Sequence, residues 1–136
     1  MDHRSAMVGI WSLITQKRFR NGAFYRETMG EGAQGRIIYD ASGWMCAFLM
    51  NKDWPSGQLP ATWQNVMSYS GRWHVENGNT VIHAVDFASI PNFIGQPLTR
   101  FISWTEEGHL KLTTDGHVTR DGEQSHDELI WRRVAP

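Results

Sequence analysis

A single cysteine, Cys46, excludes any internal disulfide, and its place in the apolar run Trp44-Met45-Cys46-Ala47-Phe48-Leu49-Met50 reads as a buried, inert thiol. That usage fits a reducing compartment. No apolar run approaches the roughly 18 to 20 residues needed to span a bilayer, and the first residues, Met1 to Met7, carry no apolar stretch of signal-peptide length. The expectation is a cytoplasmic protein without membrane association. Charge of one sign is also lacking: 13 Lys and Arg face 14 Asp and Glu, and the cations are scattered apart from Lys17-Arg18-Phe19-Arg20 and Arg132-Arg133. Without a basic stripe there is no electrostatic footprint for nucleic acid. Sustained helical periodicity is almost absent, so the fold is expected to be mostly β.

What the chain does have is aromatic bulk. Seven Trp, six Phe and three Tyr in 136 residues suit a core or a ligand-lined cavity. This length fits one domain, residues 1–136, with 1–6 expected to be disordered. Period-two patterning between turn signals predicts strands at Val8 to about Arg18, Phe24–Thr28, Arg36–Tyr39 and Trp44–Met50, the last with both faces covered. A loop then leads to a short amphipathic helix carrying Trp63, Val66 and Met67. The clearest hairpin joins Tyr69–Glu76 to Thr80–Phe87 through Asn77-Gly78, a pair that tolerates positive φ. Its register would put Tyr69 and Trp73 on one inner face beside Val81, His83, Val85 and Phe87. Leu98–Thr105 and His109–Thr114 form another hairpin, Asp115–Asp127 reads as a mobile polar loop, and Leu129–Val134 closes the chain. About eight to ten short strands predict an all-β fold, a single antiparallel barrel with one short helix.

Five segments in order resemble one family. Gly9-Ile10-Trp11 is similar to the G-x-W pattern that opens lipocalin-type barrels, in which the Trp closes the floor beneath an Arg near the end of the sheet; Arg132 or Arg133 would take that part. Gly35-Arg36-Ile37-Ile38-Tyr39 with Gly43-Trp44-Met45, Tyr69-Ser70-Gly71-Arg72-Trp73, Pro91-Asn92-Phe93-Ile94-Gly95 with Arg100, and Leu129-Ile130-Trp131-Arg132-Arg133 continue the resemblance to the bacterial and fungal lipocalin-like domain family. It implies a calycin-like barrel with a pocket for a small organic molecule, in a group holding plain binders as well as cofactor-free cyclases and isomerases of secondary metabolism. It implies no single reaction.

Several chemistries lack support. Gly30-Glu31-Gly32-Ala33-Gln34-Gly35 matches G-x-G-x-x-G, yet a dinucleotide fingerprint needs a helix after it, and here a strand follows. No cofactor is expected. The six histidines show neither the i, i+2 nor the i, i+4 spacing of metal ligands, so no metal is expected either. No G-x-S-x-G elbow or linked Cys–His motif supports covalent catalysis.

The candidates that remain are polar groups on apolar faces. His83, with Tyr69 beside it, is a general acid/base candidate or a core histidine held by a tyrosine hydroxyl or water. Arg100 alternates with Leu98, Ile102 and Trp104; facing inward it would hold an enolate, phenolate or carboxylate, and facing outward it would be solvated. Trp11, Tyr39, Phe48, Trp73, Phe87, Trp104 and Trp131 are the aromatic candidates for cavity walls. The leading expectation is a cofactor-independent cyclase or isomerase of a polycyclic or aromatic natural product, with His83, Tyr69 and Arg100 handling protons and charge. A non-catalytic carrier of a small apolar ligand is the alternative, and a barrel presenting a protein interface a third; a homodimer stays open.

Overall fold

A computed structural model describes residues 2–136. Ten strands run β1 (Gly9–Arg20), β2 (Ala23–Glu27), β3 (Gln34–Tyr39), β4 (Trp44–Met50), β5 (Val66–Glu76), β6 (Thr80–Ala88), β7 (Pro97–Trp104), β8 (Leu110–Thr114), β9 (His117–Val118) and β10 (Gln124–Ala135). Eight of them, in the order β1-β3-β4-β5-β6-β7-β8-β10, close on themselves through antiparallel β1–β10 pairing, while β2 and β9 extend the sheet beside the upper ends of β1 and β10. Closure removes the free edges of the eight-strand ring. Among the described residues no helix is long and apolar enough to cross a membrane.

One end is shut. The segment expected to be disordered instead forms α1 (His3–Met7), capped by the Asp2 carboxylate accepting from Ser5 N–H at 2.7 Å; Met1 lies outside the described residues. Met7 is fully buried, its carbonyl accepts the Trp11 indole N–H at 2.8 Å, and Arg133 rather than Arg132 stacks its guanidinium 4.3 Å from the Trp11 ring. Arg133 also donates to the Val8 carbonyl at 2.9 Å and to the Ala6 carbonyl, tying the helix to the last strand. Trp104 completes the floor, its indole N–H donating to His3 Nδ1 at 3.0 Å and its ring 6.0 Å from that of Trp11. The opposite end is ringed by the longer connections after β1, β4, β6 and β8.

The β5–β6 hairpin follows its turn. Asn77 (φ 50°) and Gly78 (φ 77°) take positive φ, the loop is one residue longer than a two-residue turn, and Trp73 pairs with His83 and Val75 with Val81. That pairing turns His83, Trp73 and Val81 inward together. Register then shifts between Ser70 and Gly71, so Phe87 pairs with Ser70 and is 73% exposed. The inward position expected for Phe87 is therefore corrected: a bulge changes the parity of everything beyond it. Gly71 is required there, because a Cβ would sit 1.9 Å from the Ala84 carbonyl oxygen. Gly71→Ala is expected to destabilise the barrel by about 3 kcal/mol, read as a lower urea midpoint; an unchanged midpoint would show that the crossing can open.

Other expectations are corrected for related reasons. Residues Trp63, Val66 and Met67 form no helix; Val66 and Met67 begin β5, and the local helical turn is a 3₁₀ turn at Trp54–Ser56. The segment 115–127 is not one loop, since β9 lies in it and β10 starts at Gln124. β4 is covered on one face only: Met45, Ala47 and Leu49 point inward, whereas Trp44, Cys46 and Phe48 are exposed, the Trp44 ring lying 4.2 Å from the Arg72 guanidinium. A single-walled barrel has no second layer to cover the outer face, and so Cys46 is not buried.

Candidate functional site

Above the floor the barrel encloses a cavity of about 530 Å³ that opens at the end opposite α1. Ile37, Leu49, Leu98, Leu112 and Leu129 make an aliphatic inner wall, Trp63 and Phe93 stand on the loops of its rim, and Asn92, Asp115, His117 and His126 add polar groups to the lining. Polar groups enter it at a few heights. Such a lining suits a small, largely apolar molecule fixed by a few oriented polar contacts.

The deepest polar group is a chain of hydrogen bonds. His83 is 1% exposed and lies beneath the cavity, with Tyr39 Oη 2.6 Å from Nε2 and Tyr69 Oη 2.7 Å from Nδ1. Burial holds its pKa well below 6.5, with the Arg100 charge adding in the same direction, so the ring is neutral. A neutral imidazole donates through one nitrogen and accepts through the other. Tyr39 is buried and has no other hydrogen-bond partner among the described residues, so its hydroxyl proton is satisfied only when it donates to Nε2. Nδ1–H then donates to Tyr69, whose own hydroxyl proton is left for the cavity that Tyr69 lines. Burial also raises the Tyr39 hydroxyl well above 10 and the Tyr69 hydroxyl above 10, the latter opposed by Arg100. Both tyrosines are neutral at rest.

Arg100 lines the cavity beside this chain. On β7 the residues Leu98, Arg100, Ile102 and Trp104 share the inner face while Phe101 and Ser103 point out, which resolves the choice left open by the pattern. Its guanidinium donates to the Thr99 carbonyl at 2.9 Å and meets no carboxylate among the described residues. A second cation is fully engaged: Arg18 donates through Nε to Asp127 at 2.8 Å, and Thr28 donates to the same carboxylate at 3.1 Å, near the cavity mouth.

A model of the lipocalin-like domain matches residues 8–134. The chain belongs to that family. No curated protein matches it. In this lipocalin-like barrel the residues singled out from the pattern fall in three places. Tyr69, Arg100 and Trp131 line the cavity; Trp11, Tyr39, Trp73 and Trp104, with His83, pack below it as the floor; Phe48 and Phe87 point outward. The outward pair is corrected as wall candidates, Phe48 by simple alternation in β4 and Phe87 by the bulge opposite Gly71. Arg18, Thr28, Asp127 and Gln16 were missed. Asp127 shares the period-two face of Leu129 and Trp131, a signal that was legible, but Gln16 and Arg18 come inward only because β1 carries a second irregularity between Leu13 and Thr15. Among the described residues no group of three or more His, Cys, Asp or Glu is placed to hold a metal ion.

Proposed function

We propose that this barrel binds a polycyclic or aromatic molecule bearing a carbonyl or acidic oxygen, and that it acts on it as a cofactor-independent cyclase or isomerase. The observation that carries this reading is the Tyr39–His83–Tyr69 chain ending at a cavity hydroxyl beside an Arg100 that has no carboxylate partner among the described residues. Two donors would converge on one substrate oxygen. Charge developing there in an enolising or cyclising transition state would be stabilised by the guanidinium and by the Tyr69 O–H, both held in place by the barrel. The proton that leaves the carbon passes to water at the open mouth, Tyr69 gives its own proton to the oxygen so that the enol forms, and the donated Nδ1–H supports the phenolate until solvent returns its proton. His83 is thus a positioning residue, and Tyr69 and Arg100 are the groups that meet the substrate. The aliphatic wall would order a flexible precursor, lowering the entropic part of the barrier.

The test is hydrogen–deuterium exchange at the carbons next to the carbonyl of 2-tetralone, a bicyclic enolisable ketone, followed by NMR in deuterium oxide. Wild type is expected to accelerate exchange over buffer, and Tyr69→Phe to remove about 100-fold of that acceleration. Saturable binding of the ketone with no acceleration would overturn catalysis and leave the carrier.

A further inference from the structure

Two of the side chains that line the cavity also carry a buried polar atom that the protein leaves without a partner. Gln16 is 7% and Trp131 1% exposed, both line the cavity, and neither Gln16 Oε1 nor Trp131 Nε1 finds a hydrogen bond among the described residues. Buried polar atoms of this kind are rare and destabilising, so each calls for a reason. Their placement is specific. Gln16 pairs with Leu129, and Trp131 is the next inward residue of β10 toward the floor, so the two are diagonal neighbours on adjoining strands, close enough for long side chains to serve one group.

The backbone departs from regularity to bring Gln16 there. Leu13 pairs with Trp131 and Thr15 with Ile130, so Ile14 is an extra residue in β1, 40% exposed, and the inner face passes from Leu13 to Gln16 instead of Thr15. Bulges re-aim side chains in this way. Across the ladders the pair is flanked by Leu13, Leu110, Leu112 and Leu129, among which an aliphatic residue would carry no unpaired atom.

We propose that Gln16 and Trp131 form a specificity subsite for a hydroxyl on the ligand, the Trp131 N–H donating to the hydroxyl oxygen and the hydroxyl donating to the Gln16 amide oxygen. A hydroxyl is the smallest single group that accepts from one and donates to the other. The inference rests on the reading of the cavity as a ligand site, and it narrows the ligand class to hydroxylated aromatic or polycyclic molecules: one acidic or carbonyl oxygen at Arg100 and Tyr69, and a hydroxyl at the β1–β10 wall. A site built to pair a hydroxyl also rejects the analogue that lacks it, because its polar atoms are then left buried and unpaired.

Isothermal titration calorimetry with the monohydroxy-2-naphthoates, each against its methyl counterpart of similar size, tests this. At least one hydroxy isomer is expected to bind about 10-fold tighter than its methyl counterpart, the worth of one good buried hydrogen bond. Gln16→Met and Trp131→Phe should each abolish that preference, so that a hydroxy compound and its methyl counterpart bind the variant alike whatever the change in overall affinity. Equal binding of every pair, or a preference that survives Gln16→Met, overturns the subsite. If no naphthoate binds at all, the anion site at Arg100 is what fails, and the melting temperature of the ligand-free protein still decides the question. Gln16→Met is expected to raise it by about 3 °C, since an unpaired amide oxygen is removed; a fall of similar size would show that the oxygen is already paired with internal water, and the subsite would be withdrawn.

Discussion

Arg100→Leu is expected to weaken binding of 2-naphthoate about 100-fold, the ordinary consequence of removing one partner from a buried, hydrogen-bonded charge pair. The expectation comes from what surrounds the guanidinium. Arg18, the other cavity cation, is neutralised by Asp127 at 2.8 Å, whereas Arg100 has a backbone carbonyl and no carboxylate among the described residues. An anionic oxygen entering the cavity would therefore meet one free positive charge, with the Tyr69 hydroxyl next to it. Arg100→Lys keeps the charge but loses the planar fork, and should fall between wild type and Arg100→Leu. Arg18→Leu, by contrast, breaks a pair that is already closed and should lower stability more than affinity. Titration calorimetry on the three variants reads the order directly. Equal affinity in wild type and Arg100→Leu would remove the anion from the proposed ligand.

The legible part of the fold was the part written in turns and in strict alternation. Asn77-Gly78 set the register that placed Trp73 opposite His83, and the resemblance of Gly9-Ile10-Trp11 to the pattern that opens lipocalin-type barrels marked the floor, with Arg132 and Arg133 as alternatives of which Arg133 takes the place. What alternation could not show was where it breaks. The irregularity between Ser70 and Gly71 sends Phe87 outward, and the one between Leu13 and Thr15 brings Gln16 and Arg18 inward; each inserts one residue, which exchanges faces for the rest of the strand without changing composition. In β4 the outward residues Trp44, Cys46 and Phe48 are themselves apolar, so the pattern reads as continuous although one face lies against water. The cavity's polar groups were legible where their own strand carries no extra residue: Tyr69 keeps its face because the residue inserted at the Ser70/Gly71 break belongs to β6, and Arg100 was left with two possible faces, whereas Gln16 and Arg18 lie beyond the residue inserted in β1 itself.

His83→Phe is expected to lower the stability of the folded state substantially. The substitution keeps a ring of similar size but removes both nitrogens, leaving the Tyr39 and Tyr69 hydroxyls without the partner that lies 2.6 and 2.7 Å from them. Tyr39 has no alternative acceptor among the described residues, so its hydroxyl alone is expected to account for about 1 to 3 kcal/mol of lost stability. Tyr69 faces the cavity and can recover a partner there, so its share is smaller. The double variant His83→Phe/Tyr39→Phe should regain part of the loss by removing the orphaned hydroxyl, a non-additivity expected of groups in one network. The pH dependence separates this from a simple packing defect. Because burial holds the folded-state pKa of His83 well below 6.5, the unfolded chain binds a proton first as the solution is acidified. The stability that His83 contributes is therefore fully present above about pH 6.5 and is lost as the pH falls below that toward the folded-state value. Urea midpoints measured from pH 7 down to pH 5 should decline for wild type and decline less for His83→Phe. Parallel curves for the two proteins would mean that the imidazole is not buried neutral, and the tautomer that frees the Tyr69 proton for the cavity would lose its basis.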